Sequence, residues 1–139
     1  MKKFNRRIRK KKFEIKFYEE LVRIKPDFVE ALSCLGDAYT REGFIEEGLK
    51  VDLRLCQLKP LDPVVQYNLA CSYSLLGMVD EALVVLKKAI LLGYDDFQFM
   101  SKDKDLNNLR KDERFKLLFD KINLRFQIRP SQNRLQKIK

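Results

Sequence analysis

Apolar residues recur along this chain at steps of three, four and seven, the spacing that lines one face of an α-helix. In LSCLGDAYTREGFIEEGL, residues 32–49, the stripe is Leu32, Leu35 and Tyr39. In QYNLACSYSLLGMVDEAL, residues 66–83, it is Leu69, Tyr73 and Leu76. A second stripe follows each: Leu49, Val51, Leu55 and Leu58 in one, Leu83, Leu86 and Ile90 with Ala82 and Ala89 in the other. Gly43 and Gly77 stand between the stripes, where a left-handed residue ends one helix and lets the chain turn back. Each stretch predicts a helical hairpin.

The hairpins share a 34-residue register. Sliding the chain by that offset pairs Pro26 with Pro60, Leu35 with Leu69, Tyr39 with Tyr73, Gly43 with Gly77, Glu47 with Glu81 and Leu58 with Leu92. Such a period marks stacked supersecondary units. The prolines fall between units, where a missing N–H does little harm. Gly36 with Ala70, and Gly48 with Ala82, keep small the positions where the two backbones of a hairpin approach each other.

Two hairpins alone bury too little, and the flanks supply neighbours. FEIKFYEELVRIKP, residues 13–26, predicts the second helix of an incomplete unit, with Phe17, Leu21 and Ile24 beside Ile15 and Val22. Residues 93–122 lose the period. Phe97 with Met100, Leu106 with Leu109, and Phe115, Leu118, Phe119 and Ile122 predict three short helices, with Asp103, Asp105 and Asp112 as helix starts.

The pattern L-x-x-L-G-x-x-Y, then G, then E-G/A-L, then P, resembles the tetratricopeptide repeat (TPR). Leu32, Leu35, Gly36, Tyr39, Gly43, Gly48 and Pro60 carry it in the first unit, and Leu69, Ala70, Tyr73, Gly77, Ala82, Leu86 and Ala89 in the second. The run from Asp103 to Phe115 resembles the closing segment of many bacterial proteins of this family. Three positions depart: Gln66 and Asp52 replace apolar residues, and Tyr94 replaces the closing proline. The resemblance implies an all-α, right-handed α-solenoid of antiparallel hairpins. Its expected organisation is a basic segment 1–12, a half repeat 13–25, repeats 29–59 and 63–93, a helical cap 95–122 and a basic tail 123–139.

In such a solenoid the first helices line a concave groove that holds a segment of another protein. The inward positions implied by the resemblance are Glu30, Ser33, Asp37, Thr40 and Arg41, then Val64, Tyr67, Asn68, Cys71 and Ser74. Asn68, and Lys102 if the register continues, match the family's clamp for acidic chaperone tails. Ser33 and Asp37 do not, and Asp37 repels a carboxylate. A basic or apolar segment is the expected ligand.

Charge adds a second reading. The net charge is +9, yet residues 1–12 hold eight Lys or Arg, residues 123–139 hold five, and neither end holds an acid, so the body is −4. Lys2, Lys3, Arg6, Arg7, Arg9, Lys10, Lys11 and Lys12 form a candidate phosphate binder for nucleic acid or an anionic surface. The alternative function is therefore a nucleic-acid- or ribosome-associated protein. INLRFQIRP, residues 122–130, alternates apolar and polar with period two, which predicts an extended segment.

Chemistry is sparse. The chain has no histidine and three cysteines without CxxC spacing, which argues against a Cys/His zinc site and a disulfide framework. Cys34, Cys56 and Cys71 fall in predicted helices and read as small buried residues. No phosphate loop or nucleophile motif stands out, and the pairs Glu46–Glu47 and Asp95–Asp96 read as helix-terminus charges. The expectation is an adaptor without catalysis, cofactor or metal. It has no membrane-spanning run and is expected in the cytoplasm, with self-pairing through the ends of the array left open.

Overall fold

A computed structural model describes the backbone from Lys11 to Ile138 and the side chains from Lys11 to Arg125. Lys2, Lys3, Arg6, Arg7, Arg9 and Lys10 lie outside the described residues. Among those described there is helix and no strand: α1 Phe13–Ile24, α2 Val29–Arg41, α3 Ile45–Leu58, α4 Pro63–Leu75, α5 Val79–Leu91, α6 Phe97–Lys102, a 3-10 turn Lys104–Leu106, α7 Asn107–Arg110 and α8 Glu113–Ile138. Each helix from α1 to α4 packs on the next, α4 and α5 also meet α7, and α7 meets α8.

The turns follow from glycine. Gly43, Gly77 and Gly93 have φ of 85°, 75° and 115°, a region where a Cβ is costly. Phe44 N–H donates to Tyr39 O at 2.8 Å, Met78 to Tyr73 at 2.9 Å and Tyr94 to Ala89 at 2.9 Å, so three helices close through the same C-terminal motif. At the start of α4, Asp62 Oδ1 accepts from the N–H groups of Val64 and Val65, and Pro63 takes the first helical position.

Gly36 and Gly48 show why small residues recur. A Cβ on Gly36 would lie 3.3 Å from both Val51 and Asp52, and one on Gly48 3.2 Å from the Thr40 hydroxyl. These contacts run antiparallel, joining α2 to α3. Ala70 and Ala82 are fully buried at the matching places of α4 and α5.

Two apolar clusters form the core, and each draws on more than one unit. Ile15 of α1 and Val65 of α4 join Leu32, Leu35, Tyr39, Val51 and Leu55. Met100, Leu106, Leu109 and Phe115 of the cap join Ala70, Leu83 and Leu86. Every hairpin thus covers the apolar face of its neighbour.

Several expectations need correction. In α1 the face turned inward is Ile15, with Tyr18 and Val22, whereas Phe17 and Ile24 are exposed. That helix carries two apolar stripes, and spacing alone does not say which one meets α2. Cys34 is exposed rather than buried; Cys56 is half-buried and Cys71 buried. The extended reading of residues 122–130 is overturned, because α8 continues through them to Ile138. Ile122 with Phe126 and Leu124 with Ile128 are also four apart, so the same residues fit a helix, and no glycine stands there to stop it. The tail expected at 123–139 begins inside this helix.

Asp52 departs from the repeat pattern and is buried. Its Oδ2 accepts from the Ser72 hydroxyl at 2.5 Å, tying α3 to α4. Burial pushes its carboxyl up to about 6, with Ser72 opposing and Asp37 adding to the shift.

This packing can be tested at two positions. Ala82→Leu overpacks the hairpin and should cost about 1–3 kcal/mol in denaturant unfolding. Asp52 is protonated more readily folded than unfolded, so its contribution is full below about pH 4 and is lost as pH rises through about 6. Denaturant titrations from pH 4 to 7 should show wild-type stability falling across that window relative to Asp52→Asn, by about 2–3 kcal/mol.

Candidate functional site

The face formed by α2, α4 and the cap holds a groove of about 480 Å3. Gly36, Asp37, Thr40 and Arg41 come from α2, Tyr67, Asn68, Cys71 and Ser72 from α4, Asp52 from α3, and Phe99, Asp103 and Asp105 from the cap. A second cleft of about 520 Å3 adjoins it across Tyr67, Asn68 and Phe99, bounded by Pro63, Val64, Tyr94, Asp95 and Asp96.

Six of the ten expected groove residues therefore line the first groove, and Val64 joins Tyr67 and Asn68 in the second. Glu30 and Ser33 are exposed on α2 but belong to neither lining. Ser74 needs correction. It is fully buried under the cap, where its Oγ accepts from Leu109 N–H at 3.2 Å and its carbonyl accepts from Asn108 at 2.8 Å. The cap, which lacks the 34-residue pattern, covers this end of α4.

Tyr67 and Cys71 are floor rather than open contacts. The Tyr67 ring stacks on Tyr94 at 4.0 Å between centroids and 5° between planes. Its hydroxyl donates to Asp103 Oδ2 at 2.6 Å, and the Cys71 thiol lies 3.6 Å from the same oxygen. Asp103 Oδ1 meanwhile accepts Asp105 N–H at 3.0 Å, capping the 3-10 turn. Burial, with the nearby Asp103 carboxylate, pushes the Tyr67 hydroxyl and the Cys71 thiol well up. Both stay protonated at neutral pH.

Cys71, Asp103 and Asp105 bring one sulfur and two carboxylates within 4.8 Å. Both Asp103 oxygens are already engaged and the thiol holds its proton, so this trio reads as a hydrogen-bond network. Arg110 braces it, donating to the carbonyls of Met100 at 2.9 Å and Asp103 at 2.8 Å.

The groove is electrostatically negative. Burial raises the carboxyls of Asp37 and Asp105, with Arg41 opposing at Asp37 and Asp103 reinforcing at Asp105. Arg41, the cation in the lining, pairs with Glu14 at 2.9 Å. Asn68 is exposed and offers both donors and acceptor to a passing backbone. Sequence reasoning missed Asp52, Ser72, Phe99, Asp103 and Asp105. Asp103 was legible as a helix start, whereas Asp105, read the same way, falls inside the 3-10 turn that Asp103 caps; only the docking of the cap turns both toward α4.

Two of the candidate phosphate binders are engaged elsewhere. Lys11 Nζ lies 2.8 Å from Glu19 and 3.9 Å from Glu47, and it sits over the rings of Tyr39 and Phe44. Lys12 Nζ lies 2.8 Å from Glu42. Glu19 also accepts from the Tyr39 hydroxyl at 2.5 Å. Burial works against its carboxylate, but the bonds from Lys11 and Tyr39 outweigh that and hold it below the usual glutamate range. Lys11 thereby helps pin α1 to the first hairpin.

Among the described residues no helix is long and apolar enough to cross a membrane. No protein-family model matches the chain. Over 83 residues, 58% of its length, the chain is 36% identical to a chloroplastic protein of Arabidopsis thaliana, and it spans 25% of that protein.

Proposed function

We propose that this chain is a TPR-like adaptor, a right-handed α-solenoid that binds a basic or apolar segment of another protein in its groove and performs no catalysis. The observation that carries this reading is the groove itself, a concave surface with Asp37, Asp52, Asp103 and Asp105 around an aromatic and polar floor. An extended segment bearing Lys or Arg would meet carboxylates there, while Asn68 could bond its backbone and Phe99 its apolar side chains. The three shared glycine turns and the small residues at the 34-residue offset support the repeat reading. The chain's setting on this reading is the cytoplasm; the chloroplast in the relative's name belongs to a protein of which this chain spans a quarter.

Phosphate binding through the basic ends ranks second. Its strongest support is the +13 carried by the two ends, and Lys11 and Lys12 are withdrawn from it by their carboxylate pairs. The two readings separate by salt dependence against single-stranded RNA, where each phosphate contacted contributes a slope of about −0.7 in log affinity against log salt.

Fluorescence anisotropy with labelled peptides tests the groove. A peptide alternating Lys or Arg with Leu should bind at least several-fold more tightly than its Glu counterpart. Asp37→Lys should weaken the basic peptide by about three- to tenfold, mainly through association rate, and the effect should shrink at high salt. Equal binding of the two peptides would sink the reading.

A further inference from the structure

A second groove, sharing no residue with the acidic one, runs between α5 and α8 and encloses about 550 Å3. Ile90 and Leu91 form one wall, and Leu118, Ile122 and Leu124 the other. Leu91 is 87% exposed and Leu124 64% exposed, so large aliphatic side chains stand in water on both sides of one depression. Side chains contributed by two helices leave a channel into which the ridge of a third helix fits.

The rim decides what kind of helix. Each charged residue in the lining is a cation: Lys87 on α5, Lys121 and Arg125 on α8. The helix that forms this wall continues to Ile138 through a sequence with three more Lys or Arg and no acid. A partner with Asp or Glu beside its apolar stripe gains from that field, and one with Lys beside it is repelled.

A second copy fits poorly. Pairing α8 with α8 opposes cation to cation. Another exposed apolar face, Phe13, Phe17 and Ile24 on α1, has the carboxylates of Glu14 and Glu20 engaged, by Arg41 and Arg23. A bilayer presents a flat face, whereas this site is a trough between two helices.

We propose that the α5–α8 groove docks an amphipathic helix of a partner protein whose Leu/Ile stripe is flanked by Asp or Glu. The chain then has two recognition surfaces of opposite charge: an acidic groove for a basic segment and a basic-rimmed groove for an acidic helix. The second does not depend on the first.

The test uses the full chain and two synthetic helical peptides of about 18 residues with the same Leu/Ile stripe, one flanked by Glu and one by Lys. The Glu peptide should bind with a dissociation constant below about 1 mM and at least about tenfold more tightly than the Lys peptide. Amide shifts should cluster on α5 and α8. Leu91→Asp and Leu124→Asp alter exposed positions, should keep the helical circular dichroism, and should weaken binding by about tenfold or more. Lys87→Glu combined with Lys121→Glu should reverse the preference between the peptides. The proposal falls if the two peptides bind equally, if the shifts map to the acidic groove, or if neither leucine variant matters. It also falls if Leu91→Asp dissociates a self-associated protein in sedimentation, or if anionic phosphatidylglycerol vesicles bind through Leu124 while the Glu peptide does not.

Discussion

The close approach of two helix backbones is the constraint on which the rest of this molecule depends. At Gly36 and Gly48 the gap between α2 and α3 leaves no comfortable room for a methyl group, and at the matching places of α4 and α5 the small Ala70 and Ala82 are fully buried. Small residues at these crossings set the hairpin spacing, and the spacing sets how α2 and α4 lie side by side to make a groove. Asp52 depends on the same gap. Its carboxylate occupies the space beside Gly36, where a larger residue would meet it, and from there it reaches Ser72 on the next unit. One missing side chain thus bears on the hairpin, on the junction between units and on the charge of the site.

Most of the architecture was legible because it rests on local rules. Helical spacing, glycine in the left-handed region and small residues at a fixed offset each act within one or two turns of chain. The first two cap segments were legible for the same reason, and the third in its start but not its length, since α8 runs on to Ile138; Asp103 and Asp112 stand at helix starts as read, Asp103 accepting Asp105 N–H and Asp112 accepting Arg114 N–H at 2.8 Å. Which stripe of α1 faces inward was not legible, since Phe13, Phe17 and Ile24 make as good an apolar face as Ile15, Tyr18 and Val22. The choice is made by what α2 presents, including the Tyr39 hydroxyl that meets Glu19.

The candidate site was half legible. The resemblance implies which helical phase of α2 and α4 faces inward, and of those positions Asp37, Thr40, Arg41 and Asn68 line the groove. Tyr67, Cys71 and Ser74 share that phase, but the cap folds over them and takes their polar atoms into its own network. A rule read from repeated units says nothing about a segment that does not repeat. The α5–α8 groove is beyond sequence reading for the same reason, because its walls come from a repeat helix and a helix of the cap. Lys11 makes the converse point: a residue in a charge run that looks free to meet phosphate is engaged by two glutamates and two aromatic rings.

Ser74 and Thr40 occupy the same place in their respective units, 34 residues apart. The Thr40 hydroxyl bonds back to its own helix at Gly36 O, 3.0 Å away, whereas the Ser74 hydroxyl turns outward to receive the backbone of α7. One position therefore distinguishes an interior module from a terminal one. The two units share a shape without being interchangeable: the closing segment takes an acceptor from the Ser74 hydroxyl, while the Thr40 hydroxyl is oriented by its own helix and receives no such segment.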